Sequence, residues 1–181
     1  MAAKYKLFSI GNSHKKLTIL YPKYCLNRSP DNVITTLPTM YIAEELRPKI
    51  NLLLNEMSPG LDNALGIKYE SFETERVIAT MPVDHRTRQP LGLLHGGASV
   101  ALAESICSIG AWLTLSDEKQ IATGIEINAN HLRSVKEGEV RGIATPVKTG
   151  KTIQVWQAHI YDERERLISI SRCTLAIVNQ N

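Results

Sequence analysis

An α+β fold, one long apolar helix wrapped by a curved antiparallel sheet, is predicted by three features of this 181-residue sequence. First, the stretch from about His95 to just before Ser116-Asp117 is apolar on nearly every helical face, so a helix there must be covered on most sides. Second, four strand-like stretches follow it, at roughly 121–134, 138–148, 151–162 and 166–178. Third, the breaks between them, Lys136-Glu137-Gly138, Thr149-Gly150-Lys151 and Asp162-Glu163-Arg164, are short and polar and read as hairpin-type connections.

Residues 1–39 differ from the rest of the chain: they are basic, rich in Ser, Asn, Thr and Pro, and lack sustained periodicity. They read as a disordered tail or as translated sequence upstream of a start at Met40. An organelle-targeting presequence is the competing reading, but Gly11, Pro22 and Pro30 break the amphipathic helix it needs. From Met40 the chain is one domain, 40–181. Leu46, Ile50, Leu53, Leu54 and Met57 recur at helical spacing, and Ser58-Pro59-Gly60 ends that helix. A run from Ile67 to Val83 alternates as strands do, with acidic turn residues between Tyr69 and Val77, and a loop from Asp84 to Leu94 leads into the long helix. In the third strand stretch Gln154 shares a face with Trp156 and Ala158, so that face is not wholly apolar. A single helix enclosed by an antiparallel sheet in this order is a hot-dog fold.

Composition excludes several functions. The chain is 43% hydrophobic and 22% charged, ordinary for a globular domain. Of the 21 Lys/Arg and 18 Asp/Glu, six bases and one acid fall in 1–39, leaving 15 bases against 17 acids in the domain. That balance lacks the basic stripe of a nucleic-acid binder. Cys25, Cys107 and Cys173 are odd in number, widely spaced and free of any CxxC pair, so neither a disulfide framework nor a zinc site is indicated. Such cysteines fit a reducing compartment, the cytoplasm. The run from Ala98 to Leu115 approaches the length of a membrane span, but Glu104 and four Ser/Thr interrupt it, and it reads as a buried helix rather than a membrane contact.

The chemistry gathers between Gln89 and Ser108. Gly96 and Gly97 open the helix, allow close approach of a ligand, and present N–H groups without helical partners at the positive end of the helix dipole. Such a terminus suits an anion or a developing oxyanion. Glu104 is a lone carboxylate in an apolar helix, and Ser105 and Ser108 lie on or near its face. Taken singly, a Gly-Gly pair also serves tight packing, a buried Glu also pairs with an Arg, and His95 also caps a helix. Gln89, His95, Gly96 and Glu104 within sixteen residues favour a functional cluster instead. Gly96 and Glu104 stand eight residues apart, about 12 Å along one helix, too far to act on one carbonyl. Two copies packed with their helices antiparallel about a two-fold axis would bring one chain's Gly96 to the other's Glu104. The spacing therefore predicts a homodimer with shared active sites.

The segment Ala79-Thr-Met-Pro-Val-Asp-His-Arg-Thr-Arg-Gln-Pro-Leu-Gly-Leu-Leu-His-Gly-Gly-Ala-Ser-Val-Ala-Leu-Ala-Glu-Ser resembles the PaaI-type acyl-CoA thioesterases of the hot-dog superfamily, as does Gly124-Ile-Glu-Ile-Asn-Ala-Asn-His-Leu-Arg-Ser. Within that group the similarity is greatest to bacterial 1,4-dihydroxy-2-naphthoyl-CoA hydrolases of menaquinone biosynthesis, and it covers about residues 60–178. The resemblance implies hydrolysis of an acyl-CoA, with Glu104 as nucleophile or general base and the Gly96 N–H donating to the thioester oxygen from the partner subunit. It gives Gln89 and His95 the orienting of carbonyl and water, Ser105 and Ser108 the shaping of the acyl pocket or the holding of the attacking water, and Gly97 a place in substrate binding. It sends His131 and Arg133, with the Thr149–Thr152 turn and its Lys151, toward the CoA nucleotide. A homotetramer is implied as well. Neither metal nor redox cofactor is expected: the motif lacks three zinc ligands, and the chain has no P-loop, GxGxxG or GxSxG.

Three alternatives compete with that activity. A broad-specificity phenylacetyl- or medium-chain acyl-CoA thioesterase would use the same residues. A hot-dog dehydratase acting on 3-hydroxyacyl thioesters would carry a proline-containing segment after the histidine, absent here. A nonenzymatic acyl-CoA binder would not need Glu104.

Overall fold

The computed structural model describes residues 40–56 and 60–180. The expectations for 1–39, for Met57 and for the Ser58-Pro59 helix stop lie outside these residues. A two-residue strand, β1 (Tyr41–Ile42), precedes a 3-10 turn (Glu44–Leu46) and helix α1 (Arg47–Glu56). Helix α2 (Leu61–Leu65), strands β2 (Lys68–Glu73) and β3 (Arg76–Pro82), and helix α3 (Gly96–Leu113) come next. Strands β4 (Gln120–His131), β5 (Glu139–Thr149), β6 (Ile153–Asp162) and β7 (Leu167–Asn179) complete the chain. The seven strands form one sheet in the order β1-β2-β3-β5-β6-β7-β4, antiparallel except for the β1–β2 pair. The expected hot-dog architecture is present: α3 packs against β3 through β7.

One connection differs from the hairpin expected at Lys136-Glu137-Gly138. Strand β4 pairs with β7, at the far end of the sheet, and the chain then crosses to β5 in the middle. Gly138 does take a left-handed turn, φ 87°. A polar, glycine-containing break marks a reversal of direction but not the strand to which the chain returns. The residues after β4 stay on β7, where the Leu132 N–H donates to Ile168 O at 2.7 Å, before the Val135 carbonyl accepts from Leu94 N–H at 2.8 Å. Strand β1 and helix α2 are too short to show a period in the sequence, and only the structure reveals them.

The length and apolarity of α3 match a membrane span, but half of it is buried inside the chain. Leu102, Ala103, Ile106, Cys107 and Ala111 are fully enclosed, against Phe72, Met81, Val140, Trp156, Ile160 and Leu175 of the sheet. Burial pushes the Cys107 thiol well up and the Cys173 thiol to about 11, so both are inert hydrophobes rather than nucleophiles. The polar member of the β6 inner face is fully satisfied: Trp156 Nε1 donates to Gln154 Oε1 at 2.9 Å, and Gln154 Nε2 donates to Thr114 Oγ1 at 2.8 Å. At the C-terminal end of α3, Lys49 Nζ donates to the carbonyls of Trp112 and Leu115, a cation at the negative end of the dipole. Burial lowers the Lys49 pKa, with Glu118 opposing the shift.

Trp156 reaches α3 only because position 110 has no side chain. A Cβ on Gly110 would lie 2.6 Å from Trp156 Cζ3, against a rigid ring held by Gln154. Gly110→Ala should therefore destabilise the fold by about 1–3 kcal/mol despite its better helix propensity. Chemical denaturation measures this; an unchanged or raised stability would show that the ring moves freely.

Candidate active site

The start of α3 is held by the loop before it. Thr87, 1% exposed, donates through Oγ1 to Pro82 O at 2.7 Å and accepts from Asp84 N–H at 3.1 Å. The Thr87 carbonyl then accepts from His95 N–H at 2.8 Å, fixing the residue that caps the helix. Sequence reasoning misses Thr87, although an Asp and a Thr three residues apart are a known turn signal. Arg86, bonded through its side chain and backbone to Asp84, holds that carboxyl down at about 2 and so keeps the loop's anchor ionised.

His95 is the N-cap. Its backbone is extended (φ −70°, ψ 131°), its carbonyl accepts from Ala98 and Ser99, and its Nδ1 accepts the Gly97 N–H at 2.8 Å. A ring nitrogen that accepts carries no hydrogen of its own, so the ring's N–H is on Nε2. Capping and function are thus compatible: Nδ1 secures the helix and the exposed ring keeps one donor. The Gly97 N–H is consumed by the cap, whereas the Gly96 N–H has no partner among the described residues.

Gln89 stands across from this terminus. Its backbone N–H donates to Leu93 O at 2.8 Å and its carbonyl accepts from Gly92, whose φ of 79° makes the turn. Its side-chain Oε1 accepts from Leu91 N–H, leaving the amide hydrogens as the available group. Gln89, Gly96, Ser99, His131, Arg133 and Ile168 line one cavity of about 340 Å³. His131 lies directly on the helix start: a Cβ on Gly96 would be 2.7 Å from His131 Nε2. Its other nitrogen faces Ser169 Oγ at 3.4 Å. Position 96 is therefore glycine for close approach, not for an unusual backbone angle. Arg133 donates from Nη1 to Leu167 O at 2.6 Å, and the rest of its guanidinium is exposed at the rim.

Glu104 is elsewhere. It is exposed, not buried, and its carboxylate rests beside the edge strand, with Oε1 3.0 Å from where a Cβ on Gly124 would be. The helix face carrying it turns toward β4, the last strand of the sheet, and not toward the enclosed core. The hydrogen bond expected from Ser105 is also absent: Ser105 Oγ donates to Asp62 Oδ1 at 2.6 Å. Tyr69 donates to the other oxygen of Asp62, also at 2.6 Å, so Asp62 ties α2 to α3 and β2. Neither Asp62 nor Tyr69 stands out in the sequence, since the short helix that aligns them shows no period there. Ser108, one turn beyond Glu104, is half-buried.

Within one chain, then, Gln89, Gly96, His131 and Arg133 come together, while Glu104 with Ser105 and Ser108 lies about 12 Å further along α3. Lys151 joins neither group. It is exposed on the β5–β6 turn by Thr114 and Leu115, at the opposite end of α3 from His131 and Arg133. Lys151 and the pair His131 and Arg133, all expected toward the CoA nucleotide, thus line different cavities of one chain.

Residues 91–169 match the model of the thioesterase superfamily. The 1,4-dihydroxy-2-naphthoyl-CoA hydrolase of Escherichia coli is 51% identical over 126 residues, 69% of this chain and 92% of that protein. The proofreading thioesterase EntH of Cronobacter turicensis is 47% identical over 126 residues, 69% of this chain and 91% of that protein. Among solved structures, the thioesterase HI1161 of Haemophilus influenzae superposes with a TM-score of 0.65 at 49% identity, covering 67% of this chain and 85% of that one.

Proposed function

The chain belongs to the thioesterase superfamily and is a thioesterase, and from that premise we propose that it hydrolyses an aromatic acyl-CoA, of the 1,4-dihydroxy-2-naphthoyl-CoA type, at sites shared between two copies. The observation that carries this reading is a division of labour. The donors that would receive an oxyanion, the Gly96 N–H and the Gln89 amide, are in one place, and the carboxylate that would attack or activate water is in another. The donors are half-buried and the carboxylate is exposed, and each half lacks the other.

A second copy supplies what is missing. Strand β4 is twelve residues long and ends the sheet, an edge of unpaired N–H and C=O groups that proteins ordinarily cover. It carries Ile125, 59% exposed and displaced by a bulge between Gly124 and Glu126. Pairing of two such edges about a two-fold axis sets the α3 helices side by side and antiparallel, with Glu104, beside Gly124, approaching the partner's cavity. A homotetramer would be a pair of these dimers, and a cytoplasmic enzyme of menaquinone biosynthesis is the corresponding setting.

In such a site the thioester carbonyl oxygen accepts from the Gly96 N–H and the Gln89 amide, with the His95 Nε2–H nearby. The second copy's Glu104 attacks the carbonyl carbon or takes a proton from the attacking water. Negative charge collects on the oxygen at the positive end of α3, where it is stabilised, and the C–S bond then breaks to release the CoA thiolate; where Glu104 itself attacked, water then hydrolyses the resulting mixed anhydride to the free acid and restores the carboxylate. Ser105 and Ser108 border the acyl side, and Gly97 keeps the capped helix start open. His131 and Arg133 at the cavity rim are the cations or donors available to the CoA chain, with Lys151 serving only if the second copy brings it there.

A turnover screen over naphthoyl-, benzoyl-, phenylacetyl- and medium-chain acyl-CoA esters tests the substrate. The reading expects kcat/KM for the hydroxynaphthoyl ester to exceed that for aliphatic esters by at least about tenfold, the scale of a well-matched pocket. A preference for medium-chain aliphatic esters would contradict it.

A further inference from the structure

One turn into α3 from Gly96, a buried hydroxyl has nothing to bond. Ser99 is 2% exposed, yet no hydrogen bond from its hydroxyl is made among the described residues. What accessibility it has is toward the cavity it lines with Gln89, Gly96 and His131. A helical serine has an alternative at hand, a carbonyl of the preceding turn, and Thr114, the residue that caps the C-terminus of α3, uses one, donating to Ala111 O at 2.7 Å. Ser99 does not. Helical side chains lean toward the N-terminus, which inclines this hydroxyl toward the Gly96 end of the cavity. Ser171 Oγ is the one fully enclosed orphan among the described residues, whereas Ser99 Oγ keeps a small opening, so a hydroxyl without a protein partner at a cavity wall is available to a group that arrives with a ligand.

We propose that the Ser99 hydroxyl is a catalytic hydrogen-bond donor to the thioester carbonyl of the bound acyl-CoA, acting beside the Gly96 N–H. This rests on the thioesterase reading of the site and adds a residue to it. Ser99 keeps its proton and forms no covalent bond. Its role is to strengthen its hydrogen bond as the carbonyl oxygen gains charge, so its effect falls on the chemical step more than on substrate affinity.

Ser171 provides the internal control. It is 2% exposed and its Oγ also lacks a partner, but it lies on the inner face of β7 and does not line the cavity. Steady-state kinetics and thermal melts of Ser99→Ala and Ser171→Ala, in the full chain, separate the possibilities. Ser99→Ala should lower kcat by at least about tenfold with KM changed less than about threefold, and without any fall in Tm. Ser171→Ala should leave kcat unchanged and raise Tm by about 2 °C. Full kcat in Ser99→Ala would overturn the proposal. So would a loss that appears only in KM, one that tracks a fall in Tm, or one that Ser171→Ala reproduces. Any of these with the parent enzyme still active and Glu104-dependent leaves the thioesterase reading standing. An inactive parent enzyme across the ester screen overturns both.

Discussion

Glu104→Ala should abolish turnover, lowering kcat by about 10²–10⁴-fold, while acyl-CoA affinity stays within about threefold of the parent value. The carboxylate is exposed and bonded to nothing among the described residues, so its removal leaves no buried partner stranded and no cavity in the core. Its loss should therefore leave the melting curve unchanged. Equilibrium binding of a nonhydrolysable acyl-CoA analogue, measured beside kcat, checks both halves of the expectation. A Glu104→Ala protein with full activity would remove the carboxylate from the mechanism. One that fails to fold would show that Glu104 has a structural partner that a single chain does not reveal.

The second large effect concerns the edge of the sheet. Ile125→Lys places a charge on the exposed bulge of β4, where a continuous sheet between two copies would have to form. Ile125 is outside the core, so the isolated chain should keep its fold and its Tm should change little. The assembly should dissociate, and turnover should fall by at least about 10²-fold, because the donors at each helix start lose the Glu104 that the second copy supplies. Sedimentation velocity and turnover measured over a range of protein concentrations test this together. A stable monomer with parental activity would mean that the site is complete in one chain.

The fold is legible in the sequence wherever a period is long. The apolarity of α3 on all sides, the alternation of β6 with Gln154 on its inner face, and the polar Thr149-Gly150-Lys151 turn all appear as expected. Sheet order is less legible. The Lys136-Glu137-Gly138 break reads as a hairpin, but it leads across the sheet, since long-range pairing of β4 with β7 leaves no local signature. The site divides in the same way. Gln89, His95, Gly96 and Glu104 are legible because their residue types stand out against an apolar helix. The surroundings of Glu104 are not: an apolar sequence around a carboxylate does not say whether that helix face meets the core or an edge awaiting a partner. Spacing along one helix assigns Ser105 to Glu104, whereas a residue forty-three positions earlier, Asp62, accepts its hydrogen bond. Ser99 gives no signal at all, because a serine in a helix is ordinary until its hydrogen bonds are traced.

Complementation between two inactive chains tests the shared site most directly. Glu104→Ala keeps the Gly96 N–H, and Gly96→Ala, whose Cβ would meet His131 Nε2 at 2.7 Å, keeps Glu104. Co-expressed in equal amounts, with subunit mixing confirmed by native mass spectrometry, they form mixed dimers in which one of the two sites has both intact groups. Random pairing then restores about a quarter of the parental turnover from two nearly inactive proteins. A fully mixed preparation no more active than either parent would show that Gly96 and Glu104 act within a single chain.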